Sequence, residues 1–211
     1  MSTSYFPLAH PGAPYPYWWE SYSGGLRALL ESLGARATWV LPDGFRRSHY
    51  TWEVVREPGY NACSLGGGAF RFGEALVAEL PDRHVLAIIA HELAHDVFEH
   101  AQQRADRSAQ TGVFSVGLGL LTGNIWVLLG SLGIGELSNS AEARREEIIA
   151  DRVAVETLEE LGYGRREIIE VLVWLRDRVG DPSGTLFDTH PTLAERLARL
   201  LNSEAWLRSA G

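Results

Sequence analysis

At 211 residues the chain is long enough for one domain with a sizeable core. Its formal net charge of −8, without a basic cluster, excludes the electrostatic footprint of a nucleic-acid binder. A single cysteine, Cys63, rules out an internal disulfide and fits a reducing compartment.

In chain order, residues 1–17 read as an irregular proline-rich arm, and 18–211 as a single domain. The first nineteen residues lack a basic stretch followed by an apolar core, so no secretory signal is read and a cytoplasmic location is expected. Trp18 to Leu33 fits a helix, with Gly34 near its C-terminal end. Ala35–Leu41 and His49–Val55 are rich in β-formers and predict strands; Gly66-Gly67-Gly68 precedes a third, Ala69–Phe72. The spacing then predicts a helix from about Asp82 to Arg104, opened by Pro81.

Residues 108–135 carry no charge. Their length would cross a bilayer, but glycines together with Thr122, Asn124 and Ser131 break the run. It reads as two short helices that cover a site or make peripheral membrane contact. Helices follow near Ser140–Leu161, Arg165–Val179 and Pro191–Asn202. Strands first and helices afterwards predict an α+β fold, a small and mostly N-terminal sheet followed by a helical domain.

The chemistry concentrates in His91-Glu92-Leu93-Ala94-His95. On a helix, positions four apart lie one above the other, so both imidazoles can reach one metal ion. Glu92 is turned about 100° from His91, beside the ion, where it can accept a proton from water. Catalytic zinc usually has three protein ligands and one open position. His100, five residues past His95, points away from that face. The acidic helix 140–152 offers Glu142, Glu146, Glu147 and Asp151; Glu147 and Asp151 share a face, so a carboxylate there can complete a His/His/Glu set.

These motifs resemble the HtpX-like gluzincin zinc metallopeptidases, a family that includes the CAAX prenyl proteases. Its pattern is HExxH, then E-x-x-A-D, then His-Pro followed by Arg. Here these are His91–His95, Glu147-Ile148-Ile149-Ala150-Asp151, and His190-Pro191 with Arg196. Asn61-Ala62-Cys63-Ser64-Leu65-Gly66-Gly67 is similar to the family's N-A-x-x-x-G-G stretch, which precedes an edge strand along the cleft. The resemblance covers roughly residues 50–201.

The resemblance implies that His91, His95 and Glu147 hold one zinc ion per chain and that Glu92 is the general base. Asp151 would orient a ligand imidazole, Arg196 would pair with an acidic group near the site, and His190 would donate to the developing oxyanion. In soluble members of the family an apolar insert also separates the two metal-binding helices.

The strand Gly68–Phe72 is expected to pair with an extended peptide or unfolded protein by β-addition. Asn61, Gly67, Gly68, Ala69 and Phe70 are its candidate contacts. Cys63, beside the cleft, is either a small buried residue or a thiolate that blocks zinc in a latent form. The expected activity is that of a zinc-dependent endopeptidase. The competing expectation is a zinc-bound, latent or proteolytically silent peptide-binding module.

Overall fold

The computed structural model describes residues 17–57, 59–98, 141–179 and 193–202. Helix α1 (Tyr17–Trp39) leads through a short 3-10 turn to strands β1 (Thr51–Val55), β2 (Ala62–Gly66) and β3 (Ala69–Gly73). Helices α2 (Glu74–Glu79), α3 (Asp82–Val97), α4 (Ala141–Glu160), α5 (Arg165–Val179) and α6 (Leu193–Leu201) follow. The α+β expectation agrees with this arrangement of a small sheet and mostly helical remainder. The arm before residue 17, His100, the insert 108–135 and His190 lie outside the described residues.

The predicted strand at Ala35–Leu41 is instead the last part of α1 and the turn after it. Leu30, Leu33 and Ala37 are all buried, and spacings of three and four are a helix's signature, not a strand's. Gly34 lies inside the helix against the Trp52 indole, where a Cβ would collide with the ring. Thr38 meets the helical geometry by donating its hydroxyl to the Gly34 carbonyl at 2.9 Å. Tertiary packing thus overrides the β-preference of Thr38, Trp39 and Val40.

The sheet order is β1-β3-β2, with β1 parallel and β2 antiparallel to β3. Trp52, Val54, Ala62, Phe70 and Phe72 fill its inner face, and the Trp52 and Phe70 rings stack at 4.6 Å. β3 is therefore the central strand. Both of its edges are taken, which corrects the expectation that Gly68–Phe72 pairs with a substrate.

β1 and β2 are the edge strands, and β2 is the one that packs beside α3. The Gly73 N–H bonds the Asn61 carbonyl at 2.7 Å, so ladder alternation turns the backbone groups of Ala62 and Ser64 away from β3. Among the described residues, no strand pairs with that edge.

Every residue of α3 from His84 to Asp96 is buried. A helix dry on all sides belongs in the interior, and α3 packs against α1, α4, α5 and β2. Among the described residues, no helix is long and apolar enough to cross a membrane.

Candidate metal centre

The two turns of α3 at the end of its apolar run carry His91, Glu92 and His95, all at or below 3% exposure. α4 crosses this stretch and delivers Glu147, also buried. One donor atom from each of His91, His95 and Glu147 lies within 4.8 Å of the others. The two Nε2 atoms are 3.2 Å apart. Glu147 Oε2 is 3.3 Å from His91 Nε2, and Oε1 is 3.2 Å from His95 Nε2.

Those separations fit a metal. Tetrahedral zinc with bonds of 2.0–2.1 Å needs ligand-to-ligand edges of about 3.3–3.4 Å. The His91–His95 edge is within a few tenths of an ångström of that value, and so is the distance from each imidazole to its nearer Glu147 oxygen. Two imidazole nitrogens brought face to face also require a proton on one of them or a cation between them.

The surroundings fix the first histidine. Its Nδ1 is 3.1 Å from Asp151 Oδ1, so an Nδ1–H donating to that carboxylate leaves Nε2 as the acceptor facing the trio. Arg196, from α6, grips Asp151 with both forks, Nε to Oδ2 at 2.9 Å and Nη2 to Oδ1 at 2.7 Å. Its Nη1 also reaches Glu147 Oε2 at 3.2 Å.

Burial disfavours charge on His91 and Arg196 adds to that, yet hydrogen bonds to Asp151 and Glu147 prevail and raise its pKa. Burial pushes Asp151 upward, but Arg196 and then His91 draw it below the ordinary carboxylate range. Burial also opposes the Arg196 charge, which the Asp151 and Glu147 carboxylates more than restore.

Among the described residues, Glu92, Glu147 and Asp151 are buried carboxylates of this cluster, and Arg196 pairs with the last two. Buried charge is tolerated when it is paired or coordinates a metal.

Glu92 does not join the trio. Its Oε2 accepts the outward Ser64 N–H of β2 at 2.8 Å, which aims the carboxylate along the strand edge. Glu146 is buried but outside the trio, as is Cys63; the side chain of Glu142 lies outside the described residues.

The remaining sequence candidates divide sharply. Asn61 is buried at the start of the edge strand, its carbonyl engaged by Gly73. Gly67 is exposed at the turn, and Ala69 is partly covered. Phe70, 1% exposed, belongs to the core, which corrects its assignment as a substrate contact. Gly68 is likewise engaged at both backbone groups, its N–H by Asp96 Oδ1 and its carbonyl by the Thr51 N–H.

Sequence reasoning missed Ser64, Asp96 and Arg47. Asp96 directly follows the motif, yet an isolated acidic residue there gives no sign of its partners.

Helix-borne histidines, a carboxylate from a second helix and an arginine from a third define a metallopeptidase-type centre, and the comparisons agree. The description "Peptidase family M48" matches residues 30–204, and the chain belongs to that family. It is similar to the Metalloprotease LoiP of Escherichia coli (strain K12), with 26% identity over 149 residues, 69% of this chain. The chain spans 59% of that relative's length.

Proposed function

We propose that the protein is a zinc-dependent endopeptidase that hydrolyses peptide bonds in extended or unfolded polypeptides. The observation that carries this is the convergence of His91, His95 and Glu147, one donor atom of each lying within 4.8 Å of the others, a set of three protein ligands that suits catalytic zinc. Zinc held there supplies Lewis acidity and lowers the pKa of water to about 7.

The chain's own residues do the rest. Glu92 accepts the proton of the attacking water at a carboxylate oxygen and passes it to the leaving amine. The Ser64 N–H holds that carboxylate at the strand edge. Asp151 keeps the His91 Nδ1–H in place, and Arg196 secures Asp151 and Glu147. An extended peptide adds to the outward edge of β2, where the Ala62 backbone groups and the Ser64 carbonyl face away from β3. His190, assigned from the motif alone, donates to the developing oxyanion, a role typically worth about 2.7–4 kcal/mol. We assign residues 18–211 to this single metallopeptidase unit.

Metal analysis and cleavage of an unfolded model protein test the proposal together. Glu92→Gln should retain zinc and lose turnover. Glu147→Gln should weaken zinc binding by more than the roughly 10–100-fold typical of an outer partner. Undiminished cleavage by Glu92→Gln, or unaltered metal content in dialysed Glu147→Gln, overturns the proposal.

A further inference from the structure

Asp96 is 2% exposed and lies one helical turn beyond Glu92 on α3. Its Oδ1 accepts the Gly68 N–H at 2.9 Å, just as Glu92 Oε2 accepts the Ser64 N–H at 2.8 Å. Two carboxylates four residues apart on the helix therefore hold two backbone amides four residues apart on the β2–β3 hairpin. The second oxygen of Asp96 takes Arg47 Nε at 2.6 Å, and its backbone carbonyl takes Arg47 Nη2 at 3.3 Å.

Between them lies a turn in which Gly66, Gly67 and Gly68 all have φ between 66° and 82°. At Gly68 a Cβ would come within 2.9 Å of both Arg47 Cδ and the His49 carbonyl. The turn is pressed under the arginine, and only glycine permits both the backbone conformation and the approach.

We propose that Asp96, locked by Arg47, is a positioning residue that registers the outward edge of β2 against the motif helix and so sets how an extended peptide meets Glu92. This rests on the endopeptidase function proposed above. Glu92 is committed to proton transfer. A second tie outside the chemistry keeps the strand in place throughout the reaction. Both ties are backbone hydrogen bonds to carboxylates, and the second carboxylate is also paired with an arginine.

The test uses the full zinc-loaded chain, an unfolded model protein as substrate, and amide hydrogen exchange at Ser64 and Gly68. Loss of a hydrogen bond to a charged group corresponds to about tenfold or more. In Asp96→Ala, exchange at both amides should accelerate by about that factor. KM should rise comparably, with kcat within about threefold of wild type and zinc content unchanged. Asp96→Asn, which keeps an oxygen for Gly68, should recover most of the KM.

Should Asp96→Ala not fold, Arg47→Met should raise the same quantities by a smaller factor. Unchanged exchange at Gly68, or a loss confined to kcat, overturns the proposal. If the wild type cleaves nothing, the endopeptidase function falls, while exchange at the two amides still decides whether Asp96 sets the strand.

Discussion

Replacing Arg196 with methionine keeps a long side chain at a 3%-exposed position but removes its charge. The paired contacts to Asp151 and the contact to Glu147 disappear, along with a 3.5 Å approach to His91 Nδ1. Removing one partner of a buried pair costs about 3–5 kcal/mol, because the other charge is left uncompensated. For a chain of this size, 1 kcal/mol moves the melting point by about 2–4 °C, so metal-free Arg196→Met should melt roughly 6–20 °C below wild type.

Zinc restores positive charge to the same carboxylates. The increase in Tm on adding zinc should therefore be larger in the variant than in wild type. Replacing both partners removes the stranded charge, so Asp151→Asn combined with Arg196→Met should be less destabilised than the sum of the single changes. The assay is thermal unfolding at neutral pH, followed by circular dichroism with and without zinc. A metal-free Arg196→Met protein melting within about 2 °C of wild type would refute the charge reasoning.

Gly34→Ala gains about 0.5–1 kcal/mol of helix preference, but the new methyl enters the Trp52 ring, and overpacking costs about 1–3 kcal/mol. A lowered melting point is expected; an equal or higher one would mean that Trp52 yields its place freely. At the other end of α3, the Glu170 carboxylate is held at about 2, against an ordinary 4.5, by hydrogen bonds from His84 and then Arg166. A depressed acid contributes stability above its unfolded value and loses it as pH falls from about 4.5 towards about 2. Denaturant midpoints of the metal-free protein across that window should fall less in Glu170→Gln than in wild type. Identical pH dependence would dismiss the pair.

The sequence made the centre legible where chemistry and helical spacing coincide. His91 with His95, and Glu147 with Asp151, are each four apart, and the structure brings all four together. Helix α5 was legible to both ends, Arg165 and Val179, because its apolar residues recur with helical period. The end of α1 was not. Its local composition favours a strand, and only the Trp52 ring packed on Gly34 decides otherwise.

Strand order was hidden for a related reason. The run Ala69–Phe72 after the glycines predicts that β3 exists, but which strand becomes central depends on pairings across the chain. Arg47 and Asp96 are 49 residues apart, and nothing in either neighbourhood announces the other. Three consecutive glycines marked where β3 begins, though not what they dock against.

Because α3 is enclosed along thirteen consecutive residues, its reactive groups have no looser subregion in which to melt ahead of the rest. Heat inactivation should then follow the cooperative collapse of the whole domain, with no warm, folded but idle species preceding it.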